Sequence, residues 1–209
     1  MSKVIKAIKN PRLALKVLHN RIRSTLNRSK AKRSARRNGG RLDMGEHVSF
    51  HQKTLFTGKG STTIGSRTSF GVDVGGKYLH NYCEIQARFK ESQIIIGENV
   101  ASNNGLLIIC AERIEIGNDS LIGKDVQMID FDAHGLAPSE RRNSIGKVRP
   151  IVIGKNVWIG NNAIILKGTE IGDNSVIGAG AVVTGGKFSS NVVIAGNPAK
   201  IVKELTNGR

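Results

Sequence analysis

From Ile153 to Gly186 the chain reads "IGKNVWIGNNAIILKGTEIGDNSVIGAGAVVTGG". An aliphatic residue stands at every sixth place: Ile153, Ile159, Ile165, Ile171, Ile177 and Val183. A helix needs apolar residues every three or four positions and a strand every second, so a strict six fits neither unless the chain turns a corner every six residues. The fourth place of each hexad is Asn156, Asn162, Gly168, Asn174, Gly180 and Gly186. Asn and Gly enter left-handed backbone geometry at low cost. The fifth place is small or β-branched, as in Val157, Ala163, Thr169, Ser175 and Ala181, which suits a side chain turned into a tight corner. Each aliphatic side chain then stacks on its equivalents one coil up and one coil down.

The rule reappears upstream. Ile64, Phe70, Ile96, Ile116 and Ile122 each precede a glycine, and Thr68, Val74, Val100, Ser120 and Val126 take the fifth places. Such repeats mark a solenoid, in which one unit cannot bury its apolar face alone. Over residues 45–203 or so, the sequence resembles the hexapeptide-repeat acyltransferases. The resemblance implies an all-β fold, a left-handed parallel β-helix shaped as a triangular prism; crossovers are otherwise right-handed as a rule. The expected organisation is a basic amphipathic helical arm and linker over 1–42, a β-helix domain over 43–203 with a loop extruded near 129–150, and a C-terminal tail over 204–209; the fold is also expected to include a short C-terminal helix.

Composition fits that reading, with 25 glycines and only 4% aromatic residues. Cys83 and Cys110 have neither metal nor disulfide spacing and read as small buried apolar residues. No secretory signal precedes them, so a reducing cytoplasm is the expected location. The charge of +16 sits in one place: residues 1–42 hold 14 Lys and Arg and no acid, while the remainder holds 18 basic and 16 acidic residues.

In the arm, Asn10 before Pro11 reads as a helix N-cap with proline at the first helical position. Leu15, Leu18, Ile22 and Leu26 follow at helical spacing, flanked by Lys16, Arg21, Arg23 and Arg28. After Ser29, "SKAKRSARRNGGR" has few apolar residues and reads as a linker. The arm has the composition of a helix lying in a membrane interface, which would attach residues 1–28 to an anionic surface on the cytoplasmic face of the inner membrane. A solubilising tail is the plainer alternative. An organelle transit peptide ranks below both, because the body resembles a bacterial polysaccharide-modifying enzyme.

The repeat breaks once in its later half. From Met128 the next clear hexad begins at Ile153, 25 residues on, and "IDFDAHGLAPSERRNSIGKVRP" fills the gap. Long loops in compact domains tend to be functional. This one carries His134, the last histidine in the chain, with Asp130, Asp132, Arg141 and Arg142. The pattern D-x-D-x-H, followed by Pro, Arg and V-W-I-G, resembles the sugar and polysaccharide O-acetyltransferase branch of the family. There the loop histidine is a general base, and His134 is the matching position. An imidazole with a pKa of about 6.5 takes the proton of a sugar hydroxyl as it attacks the thioester of acetyl-CoA, with no metal needed. Asp132 or Asp130 would orient the ring. The bland alternative is an exposed histidine beside aspartates paired with Arg141 and Arg142. Phe131 reads equally as a sugar platform or as loop packing.

The resemblance adds two further groups. An Asn about 30 residues before the histidine faces the acceptor in the sugar acetyltransferases, and Asn103 and Asn104 lie 31 and 30 residues before His134. Either would hydrogen-bond the acceptor or the oxyanion, or else turn a corner in left-handed geometry. The positions matching the family's acetyl-CoA contacts are Trp158, Asn161, Ala179, Thr184, Gly185, Lys200 and Lys203. Lys200 and Lys203 stand where several members have Arg, and Gly185 where a Lys often follows the Thr, so each departs from the family pattern.

The function expected is acetyl transfer to a saccharide hydroxyl of a capsule, O-antigen or similar precursor, by a homotrimer with sites between subunits. A non-catalytic β-helix scaffold is the alternative, and the histidine-bearing loop speaks against it. A carbonic anhydrase on this prism needs three zinc-binding histidines on neighbouring coils, and only one histidine follows His80. A serine acetyltransferase would carry a long helical N-terminal domain. Nucleic acid is not the expected partner, because the arm has no aromatic residue before Phe50 on which a base could stack.

Overall fold

The computed structural model describes residues 11–73, 76 and 81–206. Asn10, Val74 and the first ten residues of the arm lie outside them. From Arg41 the chain winds through three parallel sheets, visiting each in turn. The first face runs from Arg41–Met44 to Gly186–Phe188, the second from Ser49–Phe50 to Val192–Gly196, and the third from Thr54–Gly58 to Val182–Val183. This is the left-handed parallel β-helix that the resemblance implies.

Register turns the hexad into three internal columns. On the first face Ile64, Ile96, Ile116, Ile153 and Ile171 lie in line. On the second, Phe50, Phe70, Ser102, Ile122, Ile159, Ile177 and Ile194 do so. Phe56, Ile85, Ile108, Met128, Ile165 and Val183 make the third. All are buried, and full burial of an aliphatic side chain is worth about 1.5–3 kcal/mol. Ser102 is the polar member, and its buried hydroxyl finds no partner among the described residues.

The corners obey the fourth-place rule. Asn156, Asn162 and Asn174 have φ of 53°, 58° and 58°, and Gly168, Gly180 and Gly186 are also in the positive-φ region. The glycine after each column residue has a different cause. At Gly117 a Cβ would lie 2.5 Å from the backbone of Gly154 on the next coil, so the stack is too tight for any side chain.

The helix Pro11–Arg37 covers the N-terminal end of the prism. A solenoid end exposes apolar columns and unpaired backbone groups, and a cap must satisfy both. Ala31 and Ala35 complete the apolar cluster over Phe50, Phe56 and Phe70, which pack ring against ring. The Ser24 hydroxyl accepts the Phe50 N–H at 3.0 Å and the Ser34 hydroxyl the Phe56 N–H at 2.9 Å. Asn27 donates to the Phe50 carbonyl. The expected linker after Ser29 is therefore helix as far as Arg37. Its buried face uses Ala, Ser and Asn, because only small residues let the helix lie close over a narrow prism.

The expected short C-terminal helix is not found among the described residues, and residues 207–209 lie outside them. Ala199–Glu204 is a strand that turns back antiparallel on Val192–Gly196 and closes the second face.

Candidate active site

The break in the repeat is a finger at the corner between the third and first faces. It leaves the strand Gln127–Ile129 and rejoins at Ile151–Ile153. Its base is a two-stranded ladder. The Arg149 N–H donates to the Asp130 carbonyl, Asp132 N–H to Lys147, Gly146 N–H to Asp132, and Gly135 N–H to Ser144. Phe131 bridges Val148, is buried, and has the Arg88 guanidinium 5.2 Å from its ring centre. It is loop packing, with no open face for a sugar.

His134 stands at the outer end of this ladder and is exposed. Its Nδ1 lies 2.7 Å from the Arg141 carbonyl oxygen. A carbonyl only accepts, so Nδ1 carries a proton, and in the neutral ring the lone pair is then on Nε2, the tautomer of a base. Neither aspartate orients the ring. Asp132 pairs with Lys167 at 2.5 Å, tying the finger to the next coil. Asp130 is fully buried and its carboxylate accepts the N–H groups of Ala111, Glu112 and Arg113 at 2.6–2.9 Å. It braces the corner below the finger. The expected role of Asp130 and Asp132 as orienters is corrected: the backbone of Arg141 performs it.

Asn103 and Asn104 sit at a different corner, between the second and third faces. Neither has a positive φ; Gly105 takes that place at 78°. Asn104 is buried and committed: its Oδ1 accepts the Val72 N–H, and its Nδ2 donates to Val72 and Gly76. The Asn103 Oδ1 accepts the Asn104 N–H, and its amide nitrogen donates to nothing among the described residues. Asn104 serves a second interruption, between the strands Ser69–Phe70 and Cys83–Ala87, that the hexad reading did not detect. Asn81 there reaches Asp125 at 3.0 Å, and Tyr82 lies under the Lys53 ammonium. Above this corner is a cleft of ≈ 590 Å³, lined among others by Asn81, Tyr82, Glu84, Asp125, Gln127 and Asn162.

The seven positions matched to acetyl-CoA contacts divide between two corners. Asn161 and Ala179 stack at the second-to-third corner, where the Gly180 N–H donates to the Asn161 carbonyl. Trp158, 57% exposed, precedes them on the second face. Lys200 and Lys203 are exposed on the closing strand, opposite Ala195 and Val193 of that face. Thr184 and Gly185 belong to the third-to-first corner beside the finger. There, with Gly186, Asp132 and Leu136, they line a cleft of ≈ 370 Å³ that also holds Lys147, Arg149 and Lys167. These three cations escaped the sequence reading; their signal was basic residues at the end of the break and on the coil that follows it. Within one prism, the finger and the Trp158–Ala179 edge are separated by the width of a face.

Both cysteines are buried, and burial raises both thiols, with Asp130 adding to the effect at Cys110. That removes the thiolate a covalent acyl carrier needs. Among the described residues no three of His, Cys, Asp and Glu cluster as metal ligands would.

A prism of stacked hexads with a histidine-bearing finger resembles the hexapeptide-repeat transferases. The family model for bacterial transferase hexapeptide (six repeats) matches residues 150–185. A galactoside O-acetyltransferase of Escherichia coli (strain K12) is 40% identical over 56% of this chain and 56% of its own length. A putative lipopolysaccharide biosynthesis O-acetyl transferase, WbbJ, of the same organism is 37% identical over 57% of this chain and 64% of its own. The polySia-specific acetyltransferase NeuO superposes with a TM-score of 0.62 at 25% identity, covering 82% of this chain and 85% of that one. The chain spans little more than half the length of the curated relatives it matches. The chain carries the bacterial transferase hexapeptide repeat over residues 150–185 and is similar to sugar O-acetyltransferases that share it.

Proposed function

We propose that this chain transfers an acetyl group from acetyl-CoA to a hydroxyl of a saccharide, such as a surface-polysaccharide precursor, with His134 as general base. The observation that carries the proposal is the imidazole held through Nδ1 by the Arg141 carbonyl, with Nε2 at the finger's exposed end. Nε2 takes the hydroxyl proton as the sugar oxygen attacks the thioester carbonyl. The tetrahedral intermediate then collapses to the sugar ester, and the departing CoA thiolate recovers the proton from the imidazolium. Asn103 is better suited than Asn104 to meet the acceptor or the oxyanion, because the Asn104 amide is spent on residues 72 and 76.

Acetyl-CoA as the donor is supported by a galactoside acetyltransferase solved in complex with coenzyme A, which superposes with a TM-score of 0.51 at 26% identity over 79% of this chain and 66% of that one. The donor's arm would run along the edge formed by Trp158, Asn161 and Ala179, with Lys200 and Lys203 for phosphate; Thr184 and Gly185 would close the groove from the finger's side. Because these groups occupy different corners of one prism, the complete site is formed between neighbouring subunits of a homotrimer. The test is incubation with acetyl-CoA and a panel of neutral and acidic oligosaccharides, reading free CoA thiol and locating acetyl esters by mass spectrometry and NMR. Acceptor-dependent CoA release with an O-acetylated sugar is expected. Binding of CoA without acceptor-dependent turnover across the panel would return the chain to the scaffold reading, and an active monomer in light scattering would exclude a shared site.

A further inference from the structure

The helix Pro11–Arg37 has two faces with different occupants. Ser24, Asn27, Ala31 and Ala35 meet the end of the prism. At 100° per residue, Leu15, Leu18, Ile22 and Leu26 centre about 180° from them. These four side chains are 66%, 54%, 53% and 55% exposed, so the stripe points away from the body and nothing among the described residues covers it. In the last two turns the same outward half carries Lys30, Arg33, Arg36 and Arg37, all exposed. Lys30, Arg33 and Arg37 also line, with Lys53, a cleft of ≈ 330 Å³ at the helix's flank.

We propose that this outward face docks the protein on an anionic lipid membrane. The leucines and Ile22 would enter the headgroup boundary, and the basic turns would hold lipid phosphates. Charge complementarity selects this occupant. The helix contains ten Lys and Arg and no acid, so a second copy of the same face would bring like charges together. An RNA would satisfy the cations but leave the aliphatic stripe in water, and the helix has no Phe, Tyr or Trp on which a base could stack, His19 being its one ring. A bilayer surface answers both halves at once, with anionic phosphates for the cations and hydrocarbon for the stripe. No helix among the described residues is long and apolar enough to cross a membrane, so this helix would lie on it. Because the helix also caps the core, the surface and the fold cannot be separated by truncation.

Co-sedimentation of the full chain with vesicles decides the matter. The chain is expected to pellet with mixed phosphatidylglycerol–phosphatidylcholine vesicles and not with phosphatidylcholine alone, and to be released by salt as screening sets in. Arg33→Gln/Arg36→Gln/Arg37→Gln should weaken binding roughly tenfold or more. Leu18→Ser/Ile22→Ser should weaken it severalfold while leaving the salt dependence in place. Both sets lie on the exposed face, and an unchanged melting temperature verifies folding. Equal pelleting with neutral vesicles, no pelleting at all, or full binding by either variant overturns the proposal. So does a short single-stranded RNA that displaces the vesicles and binds the Leu18→Ser/Ile22→Ser variant as tightly as the parent.

Discussion

The coils from Ile153 to Phe188 and the finger from 130 to 150 are neighbours built on opposite rules. In the coils each backbone group answers to the coil above or below, and a residue's place in the hexad decides its job. In the finger the backbone answers to itself, across the ladder that joins Asp130 to Arg149 and Gly135 to Ser144. The coils hold their side chains in closed columns, whereas the finger ends on an exposed imidazole with one nitrogen fixed and one unspent. Repetition therefore supplies the rigid edge, and interruption supplies the group that could act on a substrate. If that division is right, changes in the coils should alter stability, and changes at the finger's end should alter turnover alone.

The largest expected effect on stability falls where the two regions meet. Asp130→Asn removes a buried carboxylate that accepts three backbone N–H groups. It should lower stability by about 3 kcal/mol, since hydrogen bonds to charged groups contribute about 1.5–3 kcal/mol each and the amide retains some of them. A thermal melt checks this. If the variant kept its stability and lost only turnover, Asp130 would belong to the chemistry after all.

A smaller effect tests the corner rule. Asn162 has a φ of 58°. Asn162→Ala should cost about 1 kcal/mol from the left-handed backbone, while Asn162→Gly should be near neutral. Equal losses in denaturant titrations would mean that the side chain, not the backbone, fixes that corner. The smallest expected effect has the opposite sign. Ser102→Ala removes the unpartnered hydroxyl from the second column and should raise stability by up to about 1 kcal/mol. A loss would reveal a partner for that hydroxyl.

The same division explains what the sequence made legible. The hexad exposed the columns, the corners and the length of the finger, because each is a consequence of strict spacing. Spacing cannot say which way a finger residue points. Asp130, two residues before Asp132 and four before His134, faces back into the preceding corner. The capping helix beyond Ser29 was hidden because its buried face is Ala, Ser and Asn, which carry no hydrophobic period. The second interruption was hidden because Phe70-Gly71 and Val74 imitate a hexad, so the extra length passed as repeat. Lys147, Arg149 and Lys167 come together only after the finger folds over the next coil.

The most direct test of the central claim compares the parent with His134→Ala in acceptor-dependent release of CoA thiol, at saturating acetyl-CoA and with the acceptor identified by the oligosaccharide panel. The variant is expected to keep the parent's melting temperature and CoA affinity. Its turnover should fall by about 10²–10⁴-fold, the usual contribution of a positioned general base. Turnover near that of the parent, in a variant that is folded and binds CoA, would contradict the assignment and leave the finger a structural insertion.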